Sequence, residues 1–452
     1  MYLPISKSET RGLVTTLIVI LNIIIYVLTS FENYFLNISN YWLEKLAYSP
    51  LLLYSGEWYR VFTSMFTHAD IFHIFFNMYF LYFFGREVEK KIGSLKYLIL
   101  YISSGLLAIV FHTAFISITS SIGLVTPAIG ASGAISGVLG AYLLLYHRRV
   151  LTFCIFIPLP ICFPSRAGVF LIFWFALQVI YGYLRFVSSI AYFAHAGGFI
   201  AGISLLYLFS PRTHDYRRFT IYNGVLYIVK TVRKGFGKFS KGILSILVLS
   251  LLIGSVYSIT NSSKLNAMYV FNIATTSDGA DISSDTAVYI NDNDVILPTR
   301  DDPRVVFNRF LWSGLLKNEA KARYVDSDFK INLMIKDPVY GTNLNLYVAG
   351  FIEYDEQGVL KNFKGTITTD VLVMTRQGFI EKISIKPGVK YYATIESRVH
   401  GENIGLTILQ PFSVISTIVS LTAMYIVLVK DRDLVEPEYV YEPVEYYNGY
   451  FI

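Results

Sequence analysis

The segment GASGAISGVLGAYLLLY, residues 130–146, opens on small residues, continues as a long apolar run and carries a hydroxyl, Ser132, near its start. A second segment of similar texture, AHAGGFIAG over residues 194–202, carries an imidazole, His195. Polar and ionisable side chains are costly inside a membrane, so those found there are candidates for function. A hydroxyl and an imidazole set among small residues in hydrophobic helices indicate a nucleophile and its base.

The composition supports a membrane setting. The chain of 452 residues is 54% hydrophobic and only 15% charged, with a net charge of +6, whereas an average soluble domain has roughly 25% charged residues. A membrane-spanning helix needs about 20 apolar residues. Long apolar stretches lie near 12–30, 95–116, 167–187, 190–209, 243–260 and 411–429, and shorter ones near 70–84 and 131–146. We interpret the shorter stretches as recessed helices buried by their neighbours.

The second half of the chain has a different texture, with short alternating runs and turn signals typical of β-strands. We therefore predict an α-helical polytopic membrane protein with a mostly β soluble domain between its last two helices. The predicted parts are a six-helix core (1–210), a basic cytoplasmic linker (211–242), helix seven (243–260), an extracytoplasmic β-rich domain (261–410), helix eight (411–429) and an acidic cytoplasmic tail (430–452). The tyrosine-rich tail is predicted to be disordered, and residues 219–229 fit either a strand pair or a surface helix.

The distribution of Lys and Arg predicts the topology, because cytoplasmic loops are enriched in positive charge. Basic residues precede helix one, follow helices two and four, and cluster after helix six, at Lys7, Arg11, Arg86, Lys90, Lys91, Lys96, Arg148, Arg149, Arg212, Arg217, Arg218, Lys230, Arg233, Lys234, Lys238 and Lys241. Both termini are then cytoplasmic in a multi-pass protein of the cell membrane. The outer ends of helices two, four and six carry the candidate polar residues, so these share one depth: His68, His73, Asn77, Ser132 and His195.

Small residues let these helices approach each other. Gly133, Gly137 and Gly140 lie on one face of helix four, and Gly198 and Gly202 follow His195 on helix six. Glycines at such spacing favour close helix packing. Packing alone would explain the glycines but would leave the serine and the histidine without a role. Pro127 and Gly130 place Ser132 near the start of its helix, where free N–H groups favour a developing negative charge.

Five motifs in order resemble those of rhomboid intramembrane serine proteases, over roughly residues 10–210. They are EWYRVFT (57–63), HADIFHIFFN (68–77), FGREVEKKIG (84–93), GASGA (130–134) and AHAGGFIAG (194–202). The resemblance implies a serine endopeptidase that hydrolyses transmembrane segments of other proteins with a Ser–His pair. It does not cover the β-rich domain, the last two helices or the tail.

The resemblance also implies roles for individual residues. Ser132 would be the nucleophile and His195 its general base and later general acid. His73 and Asn77, one helical turn apart, match the pair that binds the oxyanion. Supporting structural positions would be held by His68, Arg60, Gly130, Gly133, Gly198 and Gly202. Glu89, with Gly85 and Gly93, resembles the cytoplasmic cap of helix two.

One position departs from the family pattern. Many members place an aromatic residue four positions after the nucleophile, where it stacks on the catalytic imidazole, and here that residue is Ser136. We expect His195 to be less restrained in consequence, or Tyr192 or Phe193 to take the place of the aromatic residue.

Other chemistries have less support in the sequence. His68, His73 and His195 could ligate zinc, but the chain has no His-Glu-x-x-His motif. Residues 291–294 lack the glycine and glutamate of a calcium-binding loop. The helices offer no convincing pair of aspartates for an aspartyl intramembrane protease. Cys154 and Cys162 are interpreted as apolar fillers. We expect no metal, cofactor or nucleic-acid partner, with lipids and transmembrane substrates as partners. The alternatives kept open are a pseudoprotease that binds membrane clients without cleavage and a β-rich domain that is itself the main functional unit.

Overall fold

The computed structural model describes residues 12–54, 56–119, 126–157, 159–184, 190–209, 218–222, 225–262, 267–277, 280–290, 295–296, 328–339, 342–354, 360–377, 380–402, 405–443, 446–447 and 450–451. The chain divides into two compact units. The helical unit is formed by Met1–Ser262 with Leu406–Ile452, and the strand unit by Ser263–Gly405. Lys7, Arg11, Arg212 and Arg217 of the charge pattern, and the 291–294 run, lie outside the described residues.

The helical unit contains fourteen described α-helices, several of them short. In chain order they are α1 Leu13–Ser30, α2 Asn40–Leu46, α3 Pro50–Tyr54, α4 Arg60–Thr63, α5 Ile71–Phe80, α6 Arg86–Ile92, α7 Ser94–Ala114, α8 Ile116–Thr119, α9 Ser132–Tyr146, α10 Ala167–Leu184, α11 Tyr192–Phe209, α12 Lys238–Asn261, α13 Gln410–Tyr425 and α14 Asp431–Leu434. Single π-helical turns, Leu81–Gly85 and Ile426–Lys430, continue α5 into α6 and α13 into α14.

Six helical stretches in the described part of the chain are long and apolar enough to cross a membrane: Leu13–Asn33, Ser94–Ala114, Ala167–Leu184, Tyr192–Phe209, Lys238–Asn261 and Gly405–Leu434. The glycine-rich α9 is shorter, and 13 of its 15 residues are buried. A helix buried on every side by neighbours need not match the full thickness of the bilayer.

The polarity of the helix faces is the reverse of that in a water-soluble protein. On α1, Thr15 and Asn22 are fully buried, while Leu17, Ile24 and Leu28 are 51–65% exposed. On α13, the serines at 413, 416 and 420 are buried, and the Ser416 hydroxyl donates to Ser255 Oγ of α12 at 2.8 Å. Lipid can solvate exposed apolar side chains, whereas polar groups must find partners inside the bundle. The predicted helical membrane fold with a β-rich part is therefore confirmed.

The two ends of the helical unit differ in chemistry. The Ser132 end is formed by the segment between α1 and α5 and by the loop before α9, joined by backbone bridges between Asn37 and Asp70 and between Tyr48 and Ala128. The Glu89 end gathers basic side chains: Lys96 donates to the Phe209 carbonyl. Other contacts at this end pair Arg149 with Glu87 and Lys241 with Asp431. The charge rule predicts this segregation of basic residues.

The described strands decide one open alternative and correct one expectation for the segments around the helices. Residues 219–229 form a strand pair, β3 Arg218–Tyr222 and β4 Val225–Val232, within the predicted linker. The tail is not disordered throughout, because its strand β12, Glu438–Pro443, pairs with β4 and completes a three-stranded sheet. Two short strands, β13 Tyr446–Tyr447 and β14 Tyr450–Phe451, pair with each other.

The interpretation of the cysteines as apolar fillers is wrong for Cys162, which is disulfide-bonded. It lies in a hairpin after α9 made by β1, Val150–Ile157, and β2, Leu159–Arg166. The register of this hairpin sets Cys162 opposite Cys154, the other cysteine of the chain.

The strand unit is an antiparallel sheet with seven described strands in the order β7-β6-β5-β11-β10-β9-β8. The strands are β5 Ala267–Ser277, β6 Ala280–Ile290, β7 Val295–Ile296, β8 Asp328–Val339, β9 Thr342–Tyr354, β10 Leu360–Gln377 and β11 Ile380–Glu402. One face is covered, since Ile352, Phe363, Ile367 and Ile395 are at most 1% exposed. Alternation along each strand puts these residues on one side of the sheet.

Candidate active site

The backbones of α9 and α11 are in direct contact through their glycines. A Cβ atom placed on Gly198 would overlap the carbonyl of Gly133, and one on Gly202 would overlap that of Gly137. Only glycine permits this approach, in the manner of small-residue crossings between membrane helices. The crossing brings the first turn of α9 next to the first turn of α11.

Ser132 and His195 lie side by side at this crossing. The distance from His195 Nε2 to Ser132 Oγ is 2.8 Å. Ser132 is the first residue of α9, and its backbone N–H belongs to the turn whose N–H groups have no intrahelical acceptor. The preceding Gly130 has a φ of +118°, a conformation that side chains disfavour.

His73 faces the Ser132 hydroxyl across the space left by Gly130. A Cβ atom on Gly130 would lie 2.7 Å from His73 Nε2 and 3.6 Å from Ser132 Oγ. The Ala69 N–H points to His73 Nδ1 at 3.4 Å, so His73 Nδ1 is the acceptor and Nε2 carries the proton. Asn77 is buried one turn further along α5. Asp70 is the N-cap of α5, and its side chain accepts hydrogen bonds from the Phe72 and His73 N–H groups.

His68 supports the loop that leads to Ser132. It is fully buried, and its Nε2 accepts from the Ala131 N–H at 3.5 Å. Its ring meets that of His73 edge to face, with centroids 5.1 Å apart. These contacts place His68 next to the residues that flank and face Ser132.

Arg60 lies further from the pair and organises the loop between α1 and α5. Its guanidinium donates to the carbonyls of Glu44 and Ala47 and pairs with Glu57 at 2.7 Å. Burial would raise the pKa of Glu57, but hydrogen bonds from Arg60 and Tyr59 hold the pKa below its ordinary value. Arg60 thus fixes the end of α2 against the chain that precedes α5.

Sequence reasoning missed the contact between Gln178 of α10 and His195. Gln178 Oε1 lies 2.9 Å from His195 Nδ1, on the side of the ring opposite Ser132. The available signal was a single carboxamide in an otherwise apolar helix, but the sequence does not reveal which way it faces.

Of the two expectations raised by Ser136, the one that Tyr192 or Phe193 replaces the aromatic residue is wrong. Phe193 stacks on Phe115 at 4.2 Å, and Tyr192 packs edge to face on Tyr181. The ring near His195 is that of Trp174, with centroids 6.3 Å apart. The hydroxyl of Ser136 turns back onto its own helix and donates to the Ser132 carbonyl at 2.6 Å.

At the opposite end, Glu89 caps α1. Its carboxylate accepts from the Val14 N–H, from the N–H and hydroxyl of Thr15, and from the Ser94 hydroxyl at 2.6–3.0 Å. Burial would raise the pKa of Glu89, but these hydrogen bonds hold the pKa below its ordinary value. Among the described residues, no group of three or more His, Cys, Asp or Glu side chains is arranged to bind a metal ion.

Comparison with known proteins agrees with the motifs. Residues 55–212 match the family model of the Rhomboid domain. "RHOMBOID-like protein 12, mitochondrial" of Arabidopsis thaliana is 36% identical over 155 residues, which cover 32% of this chain and 44% of that protein. "Rhomboid protease GluP" of Bacillus subtilis is 32% identical over 153 residues, which cover 33% of this chain and 26% of that protein.

The relatives include a protein named as inactive. "Inactive RHOMBOID-like protein 8" of Arabidopsis thaliana is 29% identical over 145 residues, which cover 32% of this chain and 36% of that protein. The alignments with these three relatives span less than half of each relative. Relatives with similar sequence identity to this chain therefore include both a protein named as a protease and one named as inactive. The chain is a multi-pass membrane protein that contains a Rhomboid domain at residues 55–212.

Proposed function

We propose that this protein is an intramembrane serine endopeptidase that cleaves transmembrane segments of other membrane proteins near their outer ends. The observation that carries the proposal is the 2.8 Å approach of His195 Nε2 to Ser132 Oγ. A serine hydroxyl is a weak nucleophile until an adjacent base accepts its proton.

The proposed reaction has two halves. Ser132 Oγ attacks the peptide carbonyl carbon while its proton passes to His195 Nε2. The C–N bond then breaks, and His195 returns the proton to the leaving amine, which gives an acyl-enzyme. Water, deprotonated by His195, hydrolyses the Ser132 ester and restores both side chains.

The oxyanion formed in each half would occupy the space beside Gly130. His73 Nε2–H faces that space, and the backbone N–H of Ser132 belongs to the first turn of α9 beside it. Asn77, buried one helical turn after His73 on α5, is the further donor that the motif assigns to this oxyanion. Donors placed in advance around a developing charge lower the barrier more than donors that must reorganise. The positive end of the α9 dipole acts in the same direction.

The substrate class follows from the membrane setting. A carbonyl in a helix is already hydrogen-bonded, so the substrate must unwind locally before Ser132 can attack it, and we expect helix-breaking residues near the cleavage site. The charge pattern supports cytoplasmic termini, an extracytoplasmic strand unit and a site below the outer surface of the cell membrane. The candidate partners are transmembrane substrates and membrane lipids.

The competing function is that of a pseudoprotease that binds membrane proteins without cleaving them. One relative is named as inactive, and this observation is the reason for keeping the alternative. The two functions predict the same fold and differ only in whether Ser132 reacts.

The test is cleavage of a reporter transmembrane substrate in proteoliposomes. We expect the wild-type protein to cleave and Ser132→Ala and His195→Ala to cleave no faster than empty vesicles. Ser136→Ala is the matched control, because it removes a hydroxyl from the same helix that is bonded only to the helix backbone in the described structure. Thermal unfolding of all four proteins shows whether they are folded. Cleavage by folded Ser132→Ala, or none by the wild type across a panel of substrates, would contradict the proposal.

A further inference from the structure

The helix α10 contains one side chain with a carboxamide and none with a charge. That side chain, Gln178, is 8% exposed and lies in the middle of the membrane-spanning stretch Ala167–Leu184. A polar side chain at such a position is costly unless it has a partner, and its partner is commonly functional. Here the partner is His195, at 2.9 Å.

The atoms involved determine the tautomer of His195. The Gln178 atom that faces His195 Nδ1 is the carbonyl oxygen Oε1, which can only accept a hydrogen bond. Nδ1 must therefore carry the proton, which leaves a lone pair on Nε2. Nε2 is the atom that faces the Ser132 hydroxyl at 2.8 Å. The ring is thus held in the one neutral form that can accept the serine proton.

Contacts on either side of Gln178 hold α10 in place. One turn before it, Phe175 stacks on Phe199 of α11 with centroids 4.6 Å apart. Beyond it, the Tyr183 hydroxyl donates to the Ser250 carbonyl of α12 at 2.6 Å. A side chain that projects from a helix held in this way can orient another group, because the position of its backbone is fixed.

We propose that Gln178 is the positioning residue of a Ser132–His195–Gln178 triad, which selects the tautomer and the ring orientation of His195. The assignment rests on the proposed serine-protease function. In the triads of soluble serine proteases an aspartate holds the histidine and also stabilises the imidazolium. The uncharged amide holds the ring without that charge stabilisation. The other titratable groups close enough to influence His195 in the described structure are His73 and His112.

The kinetic test compares wild type with Gln178→Met and Gln178→Glu, and uses Phe173→Leu on the exposed face of α10 as control. Methionine keeps the length but removes the acceptor, so we expect kcat to fall by about 100-fold with KM unchanged. Glutamate restores an acceptor and adds a charge that favours the imidazolium. We therefore expect Gln178→Glu to recover most of the activity and to move the acidic limb of the kcat profile upward by about one pH unit or more.

Two kinetic outcomes would overturn the proposal. In the first, folded Gln178→Met turns over as fast as wild type. In the second, Gln178→Glu loses as much activity as Gln178→Met and its pH profile does not move, which would make Gln178 a helix-packing residue.

A second measurement separates this proposal from the proposed function. Imidazole ¹⁵N spectra of ¹⁵N-histidine-labelled protein, with His195 assigned by its loss in His195→Ala, report the tautomer without any turnover. We expect an Nδ1-protonated ring in wild type and a mixture of tautomers in Gln178→Met. The same mixture in wild type would overturn the proposal. An Nδ1-protonated ring in a protein that cleaves nothing would overturn the protease function and leave the Gln178–His195 pairing standing.

Discussion

The two ends of the helical unit each contain a buried polar centre, and the two centres use their hydrogen bonds differently. The Glu89 carboxylate accepts four hydrogen bonds from α1 and α7 and is fully buried. In the described structure the Ser132 hydroxyl has one side-chain partner, His195, and faces the space beside Gly130. A fully bonded group locks its surroundings, whereas a group with one partner and open space beside it keeps the capacity to react. We therefore expect substitutions at the Glu89 centre to change stability and substitutions at the Ser132 centre to change the cleavage rate.

The largest expected effect short of removing the nucleophile or base is at Asn77. We expect Asn77→Ala to lower kcat by about 100- to 1,000-fold, because the substitution removes the proposed oxyanion donor. The unfolding midpoint should change little. Parallel measurement of cleavage rate and thermal unfolding checks both halves of this prediction. If the unfolding midpoint of Asn77→Ala fell enough to account for the lower cleavage rate, the distinction between the two ends would be lost.

The converse substitution is Glu89→Ala. It leaves the Val14 and Thr15 N–H groups without their acceptor, and we expect the unfolding free energy to fall by about 2 to 3 kcal/mol. Turnover per folded molecule should stay near that of wild type. Denaturant unfolding in micelles gives the first quantity, and cleavage normalised to folded protein gives the second. A folded Glu89→Ala protein without activity would show that the Glu89 end also contributes to chemistry.

A pH dependence follows from the lowered pKa of Glu89. Since the folded state holds this pKa below the ordinary value of 4.5, the stabilisation is complete above that pH and is lost as the pH falls through the folded-state pKa. We expect Glu89→Gln to unfold with a flatter acid limb than wild type. Unfolding midpoints measured from neutral pH to about pH 3 test this, and parallel limbs for the two proteins would argue against the assignment.

The smallest expected effect concerns an exposed ion pair at the Glu89 end. Glu436 contacts Lys91 and Arg149, but each of these side chains is 35–44% exposed. Exposed pairs contribute at most about 1 kcal/mol. We expect Glu436→Gln to change stability by less than that, in contrast to Glu89→Ala. A larger loss would show that the tail strand β12 depends on this contact.

The sequence predicted some features of the two ends better than others. The helices were predictable because hydropathy acts over each segment by itself, and the confirmed membrane fold follows from it. The charge pattern predicts that Ser132 and His195 lie at the same end of the helical unit. Their catalytic roles, and those of His73 and Asn77, stay predictions until activity is measured.

The contacts that sequence reasoning missed depend on helix rotation and on distant pairing. Gln178 and Trp174 reach His195 because of the way α10 turns about its own axis, which an almost wholly apolar helix does not encode in its pattern. The pairing of β12 with β4 joins residues about 200 positions apart, beyond the reach of local propensity. The Glu89 cap on Thr15 is likewise a contact between segments that are 74 residues apart.

The central claim is that Ser132 is a nucleophile activated by His195. It is tested most directly by labelling the purified protein in proteoliposomes with a fluorophosphonate and locating the adduct by mass spectrometry. We predict a single adduct on Ser132 in wild type and in Ser136→Ala, and none in His195→Ala. An unlabelled wild-type protein, or labelling of Ser132 at the same rate without His195, would contradict the account.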